Sequence, residues 1–224
     1  MSVRLNFVVE GQTEETFINS LLLPHLGSRA ISCAVHMVTT QRMRGRKGRG
    51  GVTCYAQVKD DLVRWMKEDT CRDAFFTTMI DLYALPEDFP MFRDCRVLSD
   101  VHARVKCLEG AMGADVCDAR FVPYIQLHEF ETLLFSDLSK LKLQYPDRAK
   151  QVCQLAQSVA GLSTPEYIDD GMATAPSKRI IKAIPQYMKV SSGPIAAKAI
   201  GLCGIRAVCP HFDMWLTKLE SLNK

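Results

Sequence analysis

The sequence predicts an α/β fold with a mostly parallel sheet flanked by helices, followed by a helical C-terminal part. Short apolar runs alternate with amphipathic segments as far as Leu127, a pattern typical of parallel strands joined by crossover helices. Beyond Leu127 only helical patterns follow, separated by Pro, Gly and Ser. The chain has 224 residues and is 47% hydrophobic, enough to bury a core. We therefore assign residues 1–135 to an α/β core and residues 136–224 to a helical extension packed on it.

Four strands and three helices are predicted in the first part, in alternating order. The strand segments are short and apolar: "RLNFVV", "ISCAVHMV", "AFFTTMIDL" and "RFVPYIQL". The helical segments have apolar residues at helical spacing: "GQTEETFINSLLLPHL", "TCYAQVKDDLVRWMKED" and "VLSDVHARVKCLEGAMG". The helices predicted after Leu127 are "HEFETLLF", "DLSKLKLQY", "DRAKQVCQLAQSVA", "PSKRIIKAI", "GPIAAKAIGL" and "FDMWLTKLESL".

The N-terminus lacks the apolar run and cleavage site of a signal peptide. No apolar stretch approaches the roughly 20 residues that a membrane span needs, so we expect a soluble cytoplasmic protein. The nine cysteines are scattered, form no C-x-x-C pair, and several lie in apolar patterns, including Cys33, Cys107 and Cys153. This distribution predicts reduced thiols packed as small apolar side chains.

Acidic residues follow the predicted strands. Glu10 and Asp81 each end a strongly apolar run, and Glu14 lies one helical turn beyond Glu10. Glu129 and Glu131 follow the fourth strand. Ligands of parallel sheets bind outside the carboxyl ends of the strands, so these five carboxylates are predicted to converge on one edge.

Crowded carboxylates repel one another, and a divalent cation offsets that cost. Oxygen ligands favour Mg²⁺, Mn²⁺ or Ca²⁺ over zinc, and such an ion can activate water against a phosphoryl group. An alternative explanation is that Glu14, Glu129 and Glu131 only complement helix N-termini. The sequence leaves both explanations open.

One segment, "RMRGRKGR", carries five positive charges against a net charge of +3 for the chain, so the remainder is slightly acidic. Its basic residues are interleaved with glycine and can follow a phosphate backbone: Arg42, Arg44, Arg46, Lys47 and Arg49. Lys178 and Arg179 begin a predicted helix whose N-terminus could receive a phosphate. A solvated loop and ordinary helix-surface charges are the alternatives.

Several catalytic motifs are absent from the sequence. "HEFETL" has Thr132 where a zinc-protease helix needs histidine, and the basic loop lacks the Gly-Lys-Ser/Thr of a Walker A loop. No G-x-S-x-G elbow occurs. These absences disfavour a zinc protease, a P-loop ATPase and a serine hydrolase.

Glu10-Gly11-x-Thr13-Glu14 after an apolar strand resembles the first motif of Toprim domains, especially those of the overcoming-lysogenization-defect nucleases. "MIDLYALPEDFP", "PYIQLHEFETLLFSD", "PSKRI" and "CPHFDMWLTKLE" resemble blocks of a family designated domain of unknown function 4276. This second resemblance covers nearly the whole chain. The similarity to Toprim domains is more remote and depends mainly on the acids after the first and third strands.

The resemblance implies a Toprim-like sheet, bound Mg²⁺ or Mn²⁺ and phosphodiester chemistry on nucleic acid, DNA or RNA. By this resemblance Glu10 is the Toprim glutamate, Glu14 its partner on the helix and Asp81 the first acid of Asp-x-Asp, so these three are expected to ligate the metal, with Glu10 and Asp81 also acting in catalysis. To them we add, as a hypothesis, Glu131 as a further metal ligand, Glu129 as a catalytic base and Lys178 as the group that stabilises charge on the scissile phosphate. The resemblance also implies an ABC-type ATPase partner and a place in a phage-defence module. One position departs from the Toprim pattern, because Tyr83 stands where the second acid of Asp-x-Asp belongs.

The leading hypothesis is therefore a Mg²⁺-dependent nuclease that binds nucleic acid through its basic loop. A catalytically inactive Toprim-like partner that binds or regulates an ABC-type ATPase is the alternative, and Tyr83 favours it. A phosphohydrolase of small molecules is a third, weaker possibility.

Overall fold

The computed structural model describes residues 3–38, 54–168, 171 and 174–223. The predicted basic loop from Arg42 to Arg49 lies outside these residues. The protein has the predicted α/β fold with a helical C-terminal part.

The sheet has five parallel strands: β1 (Val3–Val9), β2 (Ile31–Met37), β3 (Ala74–Asp81), β4 (Phe121–Val122) and β5 (Ile125–Gln126). Strand β1 lies between β2 and β3, and both β4 and β5 pair with β3. Because all the pairings are parallel, the carboxyl ends of β1 and β3 lie beside each other at one edge.

Helices connect most of the strands and follow the last one. The α-helices are α1 (Gln12–Phe17), α2 (Leu23–Gly27), α3 (Tyr55–Glu68), α4 (Phe92–Arg96), α5 (Val101–Val116), α6 (Leu141–Gln144), α7 (Ala149–Val159), α8 (Pro176–Ala183), α9 (Lys189–Val208) and α10 (Pro210–Glu220). A π-helical turn (Ile18–Leu22) joins α1 to α2. Short 3₁₀ helices span Leu82–Ala84, Phe130–Ser136, Leu138–Lys140, Pro146–Arg148 and Pro165–Tyr167.

Apolar side chains cover both faces of the sheet, as the alternation of a strand requires. Leu5 and Phe7 of β1 belong to the core under α1, α9 and α10. Val8 points the other way, into the core under α3 and α5. The sheet is thus the middle layer of three, and the first of these cores contains residues from both the α/β part and the helical part.

The predicted fourth strand is divided into β4 and β5. Pro123 lies between them and has no backbone N–H to donate to a ladder. Threonine side chains of β3 replace the missing bonds: Thr77 Oγ1 donates to the Val122 carbonyl at 2.6 Å, and Tyr124 N donates to Thr78 Oγ1 at 3.1 Å.

Helix α9 bends where the chain passes through Gly201, whose φ of +78° is accessible to glycine at little cost. In the described part of the chain, no single helix is both long enough and apolar enough to span a membrane. Helices α9 and α10 meet these two criteria only when they are counted as one segment, and they are bent by 101° relative to each other.

The cysteine prediction was wrong at one pair. Cys95 of α4 and Cys107 of α5 form a disulfide, with their Cα atoms 5.7 Å apart. The other seven cysteines are free. The two cysteines are separated by an irregular turn in the sequence, so their approach is set by the packing of α4 on α5, which no local pattern encodes.

Candidate functional site

The carboxyl edge of the sheet brings Glu10 and Asp81 together. Glu10 follows β1 directly, and Asp81 is the last residue of β3. The backbone N–H of Asp81 donates to Glu10 Oε2 at 3.1 Å, while Asp81 Oδ1 accepts a hydrogen bond from Phe130 N at 3.0 Å. Asp81 is therefore fixed between the end of β1 and the start of the 3₁₀ helix Phe130–Ser136.

Glu14 enters the same edge from the first turn of α1, and its side chain is buried. Burial, reinforced by the negative charges of Glu10 and Glu131, raises the pKa of Glu14 to about 7. Burial also raises the pKa of Asp81 well above its ordinary value, and the charges of Glu10 and Glu14 add to the effect. Each of these acids is thus harder to ionise because its side chain is removed from water and because its neighbours are acids.

Glu129 and Glu131 flank the start of the same 3₁₀ helix, and both side chains are buried. Lys189, the first residue of α9, places its Nζ 2.7 Å from Glu129 Oε2 and 3.4 Å from Glu131 Oε2. Burial alone would lower the pKa of Lys189, but the charges of Glu131 and Glu129 raise it, so the ammonium stays protonated. The Lys189 side chain is 42% exposed and can be reached from solvent.

Backbone and hydroxyl donors hold these two glutamates further. Ser177, in the first turn of α8, donates to Glu129 from its N–H at 2.6 Å and from its Oγ at 2.9 Å. The hydroxyl of Tyr187 donates to Glu131 Oε1 at 3.3 Å. Gly193 of α9 permits this contact, because a Cβ there would lie 2.9 Å from the Tyr187 hydroxyl oxygen.

The model of a family described as a domain of unknown function, DUF4276, matches residues 9–220. The chain belongs to this family. No curated protein and no solved structure matches it.

In this DUF4276 chain, the other predicted site residues lie apart from the acids or outside the described residues. Lys178 is exposed on α8, one residue beyond Ser177. The Nε of Arg179 donates to the Thr174 carbonyl at 2.5 Å, which directs it to the loop before α8. Arg42, Arg44, Arg46, Lys47 and Arg49 lie outside the described residues.

The site residues predicted from the sequence do not include Lys189, Tyr187 or Ser177, which also belong to this site. Ser177 is adjacent to the predicted Lys178, and its position in a helix's first turn was a usable signal. Lys189 gave no such signal, because it opens a helix 60 residues away from Glu129, and the two meet only through the packing of α9.

The donor set suits a hard divalent cation by its chemistry, since it consists of neighbouring carboxylates that are buried or half-buried. As the side chains stand, no three acidic, histidine or cysteine residues among residues 3–38, 54–168, 171 and 174–223 are arranged to hold a metal ion. Binding would therefore require some of these carboxylate side chains to move.

Proposed function

We propose that this chain is a Mg²⁺- or Mn²⁺-dependent nuclease of the Toprim type, acting as the effector of an ATPase-linked phage-defence module. The observation that supports it is the meeting of Glu10, Glu14 and Asp81 from three separate elements at the carboxyl edge of a parallel sheet. Their mutual repulsion and partial burial cost stability, and a bound divalent cation would offset that cost.

In this proposal Glu10, Glu14 and Asp81 hold the cation, with Glu131 at the margin of the site. A bound divalent ion would polarise the scissile phosphate and lower the pKa of a water molecule. The peptide N–H of Phe130 and the Glu10 carboxylate fix the orientation of Asp81.

Glu129 has a different proposed role from the catalytic one first assigned to it. Together with Glu131 it holds the ammonium of Lys189 at the rim of the acid cluster. From there Lys189 can stabilise negative charge that develops on a phosphate oxygen. We therefore assign to Lys189 the electrostatic role that the sequence suggested for Lys178.

The test is hydrolysis of labelled RNA and DNA with Mg²⁺ or Mn²⁺ by Glu10→Gln and Glu14→Gln variants. We expect each variant to lose at least a hundredfold in rate, a typical loss for an electrostatic catalytic group. Glu15→Gln is the matched control, because Glu15 is also acidic and also in the first turn of α1. Unchanged hydrolysis by Glu10→Gln would refute the metal assignment.

A second candidate is a catalytically inactive Toprim-like protein that binds or regulates an ABC-type ATPase. Two observations favour it: Tyr83 stands where the Toprim pattern has an acid, and the ammonium of Lys189 already offsets part of the negative charge of Glu129 and Glu131. In that case the purified chain hydrolyses neither polymer, Glu10→Gln leaves the cellular phenotype intact, and removal of the C-terminal helices abolishes co-purification with the ATPase.

Hydrolysis of free nucleotides but not of polymers would select the small-molecule phosphohydrolase instead.

A further inference from the structure

Beside the acid cluster lies a cavity of about 350 Å³ that neither the family match nor the metal proposal assigns. It begins at the residues that follow Asp81, since Leu82 and Tyr83 form part of its wall. The N–H of Tyr83 donates to the His128 carbonyl at 2.8 Å, which fixes this wall next to Glu129. A ligand in the cavity is therefore adjacent to the proposed cation site. Its volume falls in the lower part of the range for small-molecule pockets, about 300–1,000 Å³.

The walls of the cavity combine aromatic surface with two guanidinium groups. Tyr83 is 45% exposed, a large exposure for an aromatic side chain. Arg96 of α4 lies over the Phe92 ring, 5.9 Å from its centroid. Arg104 of α5 is oriented by two hydrogen bonds to the Leu98 carbonyl, at 3.1 and 2.9 Å. Aromatic faces beside arginines are the combination that binds unpaired nucleotides, by base stacking and phosphate contact.

The position of the two arginines is fixed by the fold. The Cys95–Cys107 disulfide joins α4 to α5, with Arg96 directly after Cys95 and Arg104 three residues before Cys107. Glu87 also lines the cavity, and a carboxylate there can accept a hydrogen bond from the amino group of a base.

A second cavity of about 410 Å³ shares Arg104 with the first and extends it toward another half-exposed aromatic residue, Tyr167. The acid at this end, Asp100, is already engaged: it accepts hydrogen bonds from Ala103 N at 2.8 Å and from the Tyr167 hydroxyl at 3.2 Å. Its charge is thus partly compensated by the N-terminus of α5.

We infer that this pair of cavities holds an unpaired nucleotide of a single-stranded nucleic acid, with the base stacked on Tyr83 and the phosphate at Arg96 and Arg104. The inference rests on the proposed function, whose substrate class it narrows to single strands or splayed ends. A base inside a duplex cannot present its face to Tyr83.

The test is binding measured by fluorescence anisotropy in EDTA, with the full chain and labelled single strands of about twelve nucleotides, within the length one binding fold covers. RNA, DNA and the matching DNA duplex are compared. We expect single strands to bind more tightly than the duplex. Tyr83→Ala should weaken single-strand binding by about tenfold, while Tyr83→Phe, which keeps the ring, binds like the parent.

Arg96→Ala should weaken binding. It should also reduce the slope of log binding constant against log salt concentration by about 1, the amount expected for the loss of one phosphate contact. Arg93→Ala is the matched control, since Arg93 is exposed on α4, one turn before Arg96. Circular dichroism confirms that each variant is folded. The inference is overturned if duplex and single strand bind equally tightly. It is also overturned if the folded Tyr83→Ala and Arg96→Ala variants bind single strands as tightly as the unsubstituted chain does.

Because EDTA removes divalent cations, binding is measured without hydrolysis, and this inference is tested separately from the nuclease proposal. Tyr83-dependent binding by a chain that hydrolyses nothing supports the nucleotide site and refutes the nuclease. Glu10-dependent hydrolysis with binding that is indifferent to Tyr83 supports the nuclease and refutes the nucleotide site.

Discussion

At the scale of single residues, the acids at the sheet edge differ in what surrounds them. Glu129 and Glu131 both contact the ammonium of Lys189, whose single positive charge offsets part of their negative charge. Burial raises the pKa of Glu131, and the charge of Lys189 opposes that rise. Glu14 and Asp81 also have raised pKa values, but the neighbouring charges that act on them are those of other carboxylates, which add to the effect of burial. An added cation is therefore expected to interact more with the second pair than with the first.

His211 makes a pH-dependent contribution to stability. Burial alone would lower the pKa of His211, but the hydrogen bond and charge of Glu109, 3.0 Å away, raise it, as do the charge of Glu166 and the Ile125 carbonyl. The folded pKa exceeds the unfolded value of about 6.5. The stabilisation is thus fully present below that value and declines as the pH rises through the folded pKa.

We expect Glu109→Gln to lower the free energy of unfolding by about 1 kcal/mol at pH 5.5 and by clearly less at pH 8.5. Glutamine retains an acceptor for the Ile125 N–H, which donates to Glu109 at 2.8 Å. Urea unfolding at both pH values measures the effect, and Glu68→Gln, at the exposed end of α3, is the control. A loss that is the same at both pH values would contradict this role for His211.

At the scale of elements, two helices begin in the same way. Both α8 and α10 have proline as their first residue, at Pro176 and Pro210. In each case a buried carboxylate from a distant segment accepts the free N–H groups of the first turn. Glu129 does so at α8, and Glu166 does so at α10, where His211 N and Phe212 N donate to it at 3.0 and 3.1 Å.

Removing the carboxylate at α10 should be costly. Glu166 is fully buried, so Glu166→Ala leaves two buried N–H groups without their acceptor, at about 1–3 kcal/mol each. We expect a loss of about 3 kcal/mol in urea unfolding and a smaller loss for Glu166→Gln, which keeps one acceptor. Glu68→Ala serves as the exposed control. Equal stability of the alanine variant and its parent would show that water replaces the carboxylate.

Local sequence predicts the elements whose patterns are regular. The apolar runs of β1 and β3 predicted both strands, and parallel pairing then made the closeness of Glu10 and Asp81 foreseeable. The helix predicted after β5 is 3₁₀ in the structure, and its residues from Phe130 to Phe135 are all buried. A helix that is buried on all sides has no apolar stripe, so its sequence pattern cannot distinguish a 3₁₀ helix from an α-helix.

Contacts between distant segments could not be predicted in this way. Lys189 reaches Glu129 only because α9 packs on the 3₁₀ helix Phe130–Ser136. The cavity that we propose for a nucleotide depends on the packing of α4 against α5, which the predicted thiol state of Cys107 did not suggest. The sequence therefore predicted the acids of the site, but it did not predict the ammonium and the hydrogen-bond donors that compensate their charge.

At the scale of the whole molecule, the helical part completes the core of the α/β part. Trp215 of α10 stacks on Tyr124, with ring centroids 4.0 Å apart, and meets the edge of Phe7 at 6.1 Å. Its indole N–H donates to Thr77 Oγ1 of β3 at 2.9 Å. The boundary near residue 135 therefore divides a continuous hydrophobic core.

Residues 1–135 alone should not fold cooperatively. Without α10 the sheet face loses four large buried side chains: Phe212, Trp215, Leu216 and Leu219. Each contributes about 1.5–3 kcal/mol when buried, so the sum is on the order of 10 kcal/mol, comparable with the whole stability of a typical domain. We expect the fragment to show no cooperative thermal transition by circular dichroism, and co-expression with residues 136–224 to restore one. A cooperative transition in the isolated fragment would mean that α3 and α5, on the opposite face, are sufficient to order the sheet, and that the helical part is a separable addition.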